Sequence, residues 1–350
     1  MLLSQPSIDS LISSVASSSD PISKDLFLQY AKSLRRGVAS VFADDSFPDL
    51  HAQLLANVSR FAAYKAYTAT QRIRQAMVVS QGDIDEGRYE FNKFNRWLAA
   101  EYNTAVARSR TAKQWSEWDS SEERSLFPNI MWLPSRSASL REQHIPFYNR
   151  VWAKDDPFWN HNQPGTLWNC KCDWQQTDEP VTPNNPNKTV RNQGLEGNPA
   201  KTGQIFSDNA SYIENAPEGA PKTITHTIRD FYREQHKSDR KTVETGIGNI
   251  LVDKITHIEV SKGAKSDKSF FYKLQITEDF SHFADKLVLI DENEPIDLSH
   301  NNHRSIFYQR KKLFSKMEKY RLHSGGFDFE IKIGVFKDGS KNLYCITEPI

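Results

Sequence analysis

Cys170 and Cys172 are separated by a single residue, and His144 and His161 precede them in the same stretch. On a strand, such a pair directs both sulfurs to one face, because side chains alternate. Two thiolates on one face, with His144 or His161 brought in by folding, could bind zinc tetrahedrally. The competing reading is a pair of reduced, buried thiols packed on Trp159 and Trp168. A disulfide between residues this close would be strained and is not expected. Arg141 and His144 stand at i, i+3 spacing, suited to orient a carboxylate such as Asp155 or Asp156 through charge-assisted hydrogen bonds. No nucleophile accompanies them, so a structural clamp is expected rather than catalysis.

A second set of candidates lies near the C-terminus. His257, His282, His300, His303 and His323 share that region with Arg304, Arg310, Lys311, Lys312 and Arg321. A ribonuclease needs a general acid and base that work near neutral pH, together with cations for the phosphate. His303, His323 and Arg304 are the catalytic candidates on that reading. The plainer alternative is that these cations keep an amphipathic helix soluble while the histidines stand by. Gly246-Ile247-Gly248 lacks the lysine and the strand–helix setting of a phosphate-binding loop.

The bulk composition limits the setting. A chain of 350 residues is long for one core, and two or more domains are expected. The 45 Lys+Arg against 44 Asp+Glu give no global reason for nucleic-acid binding. Three cysteines are too few for a secreted disulfide scaffold, which points to a reducing compartment. The first twenty residues lack both basic residues and a long apolar core. Neither a signal peptide nor a membrane contact is expected.

Several elements must position these residues. Asp20-Pro21 is a good helix start, and Leu26, Tyr30, Leu34 and Val38 follow at four-residue steps. A second helix is predicted after Ser46-Phe47-Pro48, with Leu50, Leu54, Val58 and Phe61 on one face, running on to Val79. A third spans roughly 89–118, with Phe91, Phe94, Leu98, Tyr102 and Ala105 inward. From Phe127 to Trp174 the chain is crowded with Trp, Pro, Asn and His. A short β-like run at 129–133 opens this stretch and a strand at 170–174 closes it. Residues 181–223 read as an extended connector rich in Pro, Asn, Thr and Gly.

Beyond the connector a helix is expected, then strand-like runs at 254–260, 270–276 and 286–290. A basic amphipathic helix over 303–323 follows, with Ile306, Leu313, Met317 and Tyr320 inward, ended by Ser324-Gly325-Gly326. Phe327, Phe329, Ile331, Ile333 and Val335 alternate as a strand. Asp338-Gly339 then turns the chain into 343–347. The expected fold class is α+β. A helical region (1–126) precedes a small irregular Trp/Cys-rich α+β core (127–180, with helix 89–118 contributing). A linker (181–223) then leads to a separate α+β domain with an antiparallel sheet (224–350).

The core also carries a family resemblance. Leu140-Arg141-Glu142-Gln143-His144 is followed by Val151-Trp152-Ala153-Lys154-Asp155-Asp156-Pro157-Phe158-Trp159. Pro164-Gly165-Thr166-Leu167-Trp168-Asn169-Cys170-Lys171-Cys172 closes the run. In order and spacing this resembles the phage Mu protein F-like head-morphogenesis family, in which an Arg-x-x-His element precedes an acidic-Pro-Phe-Trp segment and a closing Trp-Asn-Cys-Arg-Cys. The likeness covers roughly residues 45–180, and Glu101 to Arg108 resembles the helix preceding that core. Its motif residues here are Arg141, His144, Asp156, Trp159, Trp168, Cys170 and Cys172. This sequence departs from the pattern with Ala138 in place of an Asp, Lys171 in place of an Arg, and Phe147-Tyr148-Asn149 where a Gly usually stands.

The resemblance implies a minor head protein of a phage or prophage, acting near the portal in head assembly and DNA packaging or delivery. Its implied partners are the portal and other capsid proteins. Its implied location is the virion and the host bacterial cytoplasm. Such proteins often carry unrelated C-terminal domains, some of them nuclease-like. The alternative expectation is therefore a capsid-borne effector whose last domain is a toxin-like ribonuclease, touching phage DNA or host RNA.

Overall fold

The computed structural model describes residues 5–135, 142–299 and 304–349. The chain forms two compact units, Met1–Ala220 and Pro221–Ile350. The first begins with four helices, α1 (Gln5–Ser17), α2 (Lys24–Ala39), α3 (Pro48–Val79) and α4 (Ile84–Trp118), and a short α5 (Ser121–Leu126). Their starts follow from local chemistry. The Ser23 hydroxyl caps α2 by accepting from Leu26 N–H at 3.4 Å, Pro48 opens α3, and Asp83 caps α4 by accepting from Asp85 N–H at 2.9 Å. The predicted stripe of α2, Leu26, Tyr30, Leu34 and Val38, is buried. On α3 small residues such as Ala62, Ala63, Ala66 and Ala69 are buried beside Leu54, Val58 and Phe61, which lets α2 and α4 approach closely. No helix among the described residues is long and apolar enough to cross a membrane.

A three-stranded antiparallel sheet follows, in the order β2 (Val151–Ala153), β1 (Asn129–Leu133), β3 (Asp173–Thr177). Its register sets Ile130 opposite Trp152 and Trp132 opposite Trp174, so large apolar side chains are paired across the strands.

Residues 181–220 are not the extended linker that their composition predicts. They form turns and two short helices, α6 (Pro199–Thr202) and α7 (Ser211–Glu214), with Val190, Leu195, Ile205 and Phe206 buried in the first unit. Polar side chains on α3 and α4 supply the hydrogen bonds that this irregular backbone cannot make for itself. Asn57 accepts from the N–H groups of Ile205 and Phe206 at 2.9 Å each and donates to Phe206 O at 2.9 Å. Arg108, fully buried, donates to the carbonyls of Leu195 (3.0 Å), Glu196 (3.3 Å) and Gly197 (2.9 Å). The buried Lys65–Glu101 pair, closed at 2.7 Å, also takes in the Tyr212 hydroxyl of α7.

The second unit is α+β. It opens with α8 (Ala220–Gln235) and the hairpin β4 (Arg240–Thr245)–β5 (Gly248–Asp253), and Gly246-Ile247-Gly248 belongs to that hairpin and its turn. Helices α9 (Lys254–Val260), α10 (Asp267–Glu278) and α11 (Phe280–Ala284) come next. Then follow β6 (Val288–Glu294), α12 (Ile306–Leu313), β7 (Phe314–Ser324), β8 (Phe327–Phe336) and β9 (Lys341–Thr347). The sheet order is β4-β5-β9-β8-β7-β6, antiparallel except for the parallel pair β5·β9.

Three expectations for this unit are corrected. The runs 254–260 and 270–276 are helices rather than strands. Each starts with a capping box, Asp253 with Thr256 and Ser266 with Ser269, which fixes a helical first turn whatever the apolar pattern suggests. The predicted helix over 303–323 stops at Leu313, and 314–324 is a strand. Met317 and Tyr320 stand three apart as in a helix, but Tyr320, Leu322 and Ser324 are buried in strict alternation. A register shift between Phe314 and Lys316 moves the phase. The strand and hairpin at the C-terminus are as expected, with Gly339 at φ 83° in the turn.

Candidate metal centre

His144 lies on a 3₁₀ turn, Glu142–Phe147, and is completely buried against Trp132 (ring centroids 4.9 Å) and Phe147 (5.9 Å). Cys170 and Cys172 precede β3 instead of lying on it, which corrects the strand expectation. Their sulfurs converge by another route. Asn169 takes a left-handed backbone (φ 57°), with its N–H donating to Thr104 Oγ1 at 2.9 Å and its side chain accepting from Asn103 at 2.9 Å. Upstream, Gly165 has φ 96°, and a Cβ there would lie 2.8 Å from Arg108 Cγ. Helix α4 thus sets the path of the loop that carries both thiols.

His144 Nδ1 lies 3.4 Å from Cys172 Sγ and 3.6 Å from Cys170 Sγ. One ligating atom from each of the three residues lies within 4.8 Å of the others. On the far side of the ring, Thr166 Oγ1 stands 3.5 Å from His144 Nε2 while donating its own proton to the carbonyls of Gln163 and Val190, both at 3.0 Å. That leaves Thr166 as an acceptor, which places the ring proton on Nε2 and the lone pair on Nδ1, facing the sulfurs.

Cys170 is pushed well below the ordinary thiol range, chiefly by the hydrogen bond that the Cys172 S–H donates to it. Cys172 is pushed up, since it keeps the proton the pair shares and is itself desolvated. Binding a metal through both sulfurs would require the pair to give up the proton that it shares.

Geometry and donor set both fit zinc. Zn–S near 2.3 Å and Zn–N near 2.0–2.1 Å at a tetrahedral angle place S and N about 3.6 Å apart. Two thiolates and one imidazole are ligands that this ion prefers. Cys172 is partly exposed, which leaves access for a fourth ligand. Nucleophilic catalysis is not what this arrangement offers, because Cys170, the activated thiol, is only 4% exposed.

Around the centre stands an aromatic core of Trp115, Trp132, Phe147, Trp152, Phe158, Trp159 and Trp174, all buried. Trp152 and Phe158 stack at 4.2 Å, and the Trp159 indole N–H donates to Ala153 O at 2.9 Å.

The other sequence candidates fall elsewhere. His161 is exposed at the end of the second 3₁₀ turn, Pro157–Asn160, and is not part of the cluster. Arg141 lies outside the described residues. The expected clamp on a carboxylate is corrected at its histidine, which is turned toward the sulfurs. Asp155 is exposed, and Asp156 instead caps the second 3₁₀ turn by accepting from Phe158 N–H at 2.8 Å. Trp159 is in the core as expected. Trp168 is half-buried and stacks on Phe206 at 5.7 Å rather than closing over the thiols.

In the second unit His300 and His303 lie outside the described residues. His323, 72% exposed, pairs with Asp328 at 2.9 Å across the β7–β8 turn, and Arg304 is an exposed residue ahead of α12. Cations proposed for phosphate are engaged within the fold: Arg310 with Asp253 at 2.7 Å and Lys311 with Asp297 O at 2.9 Å. Sequence reasoning passed over His236 and Asp239, which the fold brings to His257. Their His-x-x-Asp spacing just past the end of α8 was the signal. Comparison with family models, curated proteins and solved structures returned no match for this chain.

Proposed function

We propose that the first unit is a head-assembly module of the phage Mu F-like kind, a minor component that works beside the portal, and that zinc held by His144, Cys170 and Cys172 staples its aromatic core. The observation that carries this reading is the meeting of the two ends of the motif. The histidine of the Arg-x-x-His element lies within 3.6 Å of both sulfurs of the closing Cys-x-Cys element, 26 and 28 residues away. Residues that fit the motif in order but lie scattered in space would not support a common architecture, whereas residues meeting at one centre do.

The physical role of the staple follows from the scarcity of regular structure. Among the described residues between β1 and β3 there are one three-residue strand and two short 3₁₀ turns. Side-chain packing and a metal therefore have to fix what backbone ladders do not. Structural zinc sites contribute on the order of 10 kcal/mol in small peptides, comparable to the whole stability of a domain. A rigid, metal-pinned module of this sort suits a protein that must present one surface to the portal and other capsid proteins.

The test is made on particles. Phage-like particles produced by the host strain are purified and analysed by mass spectrometry after chemical cross-linking. The reading predicts this chain in particles or assembly intermediates, cross-linked to the portal subunit. Its exclusion from both would overturn the assignment, whatever the metal content of the isolated protein.

A further inference from the structure

His236, Asp239 and His257 converge in the second unit, where α8 ends, the chain turns into β4, and α9 begins. One ligand-capable atom from each lies within 4.8 Å of the others. His236 follows directly on α8, its N–H donating to Tyr232 O at 3.0 Å, and the Asp239 N–H closes the turn onto His236 O at 3.2 Å. The His257 side chain, 3% exposed, lies on α9 with its ring stacked on that of His236 at 4.3 Å and 16°.

Both rings carry a buried Nε2 with no hydrogen-bond partner. One orphaned ring nitrogen in a buried site is costly, and two in contacting rings require an explanation. The other nitrogens are already engaged. His257 Nδ1 is 2.8 Å from the Tyr232 hydroxyl, and His236 Nδ1 is 2.6 Å from Asp239 Oδ2. Imidazoles that bind metals hold their second nitrogen in this way, against a carboxylate or another oxygen. The hydrogen bond fixes the ring and frees the remaining lone pair.

Asp239 and Asp253 favour a positive charge at this spot, and Lys241 opposes it. Asp239 is 43% exposed, and its Oδ2 lies 3.9 Å from His257 Nε2, so the cluster opens to solvent on its carboxylate side.

We infer that His236, Asp239 and His257 form a binding site for a divalent transition-metal ion, zinc or a close neighbour, with its solvent side open to water or a small anion. Imidazole and carboxylate donors select such ions over calcium or magnesium, which take oxygen ligands throughout. The site contains no sulfur, which separates it from the centre in the first unit, and it stands independently of the head-assembly reading.

The experiment uses the full chain with Cys170→Ser and Cys172→Ser, stripped of metal and titrated with Co²⁺ alone and with Zn²⁺ alone. One equivalent should bind. Cobalt should give weak visible d–d bands and no sulfur-to-cobalt charge transfer. Asp239→Asn and His236→Gln, checked for folding by circular dichroism, should each weaken uptake tenfold or more. If the serine variants do not fold, the wild-type chain serves instead. There charge-transfer intensity counts thiolate-bound cobalt, and a second equivalent without it counts this site. Cobalt bound only through thiolates, or uptake unchanged in Asp239→Asn and His236→Gln, would overturn the inference.

Discussion

Replacing Arg108 by methionine should loosen the segment 190–214 from the helices of the first unit. The guanidinium donates to three consecutive carbonyls, those of Leu195, Glu196 and Gly197. Hydrogen bonds from a charged group contribute about 1.5–3 kcal/mol each, a gross effect of roughly 5–9 kcal/mol. Against this stands the desolvation of a fully buried charge, which pushes the Arg108 pKa down to about 10, a penalty of roughly 3 kcal/mol that the substitution removes. Methionine preserves most of the aliphatic packing but leaves three carbonyls without their donor. The net cost should be about 2–6 kcal/mol, a large share of a typical domain's stability. Urea unfolding followed by tryptophan fluorescence gives the total, and amide exchange at 190–214 gives the local part. Arg108→Lys should fall between methionine and wild type, because one ammonium cannot reproduce a fork spread over three acceptors. A loss below about 0.5 kcal/mol in Arg108→Met, with exchange unchanged in this segment, would refute the idea that one side chain fastens it.

Further outcomes follow from the same contacts. Gly165→Ala places a Cβ 2.8 Å from Arg108 Cγ at φ 96°, and should cost about 2 kcal/mol or more in urea unfolding. In the second unit Asp253→Ala removes both the α9 cap and the Arg310 partner and should cost about 2 kcal/mol. Asp253→Asn, which keeps a capping oxygen, should cost roughly half that. Lys273 is buried, with its ammonium donating to Lys262 O at 2.6 Å, and burial lowers its pKa to about 8. The folded state therefore binds fewer protons than the unfolded state between pH 8 and 10.5, and stability from this group rises with pH across that window. The stability of wild type relative to Lys273→Met should climb by roughly 2–3 kcal/mol from pH 8 to 10.5. A flat difference would show that the ammonium is better solvated than its burial indicates.

Much of this fold was legible because its signals were local. The stripe Leu26, Tyr30, Leu34, Val38 and the alternation from Phe327 to Val335 each required one periodicity, and each element is present. Helices α9 and α10 were misread where short apolar runs fit either period. Only the capping boxes Asp253/Thr256 and Ser266/Ser269 distinguish a buried helix from a strand there. Residues 181–223 read as a linker because their composition is that of a linker, although 181–220 pack into the first unit and 221–223 begin α8. What orders 181–220 (Asn57, Arg108 and Glu101) lies at least 87 residues away in sequence. The candidate metal centre is legible in its residue types, since His144, Cys170 and Cys172 are all candidates from the sequence alone. Choosing His144 over His161 required three dimensions, as did seeing that His236, Asp239 and His257 meet.

The most direct measurement on the central claim is X-ray absorption at the zinc edge. The sample is the purified full chain carrying Asp239→Asn, so that sulfur-free coordination in the second unit is suppressed. Two sulfur scatterers at about 2.3 Å and at least one nitrogen at about 2.0–2.1 Å are predicted, with the sulfur shell lost in Cys170→Ser and Cys172→Ser. A folded chain that holds no zinc, or zinc with no sulfur in its shell, would contradict the stapled core.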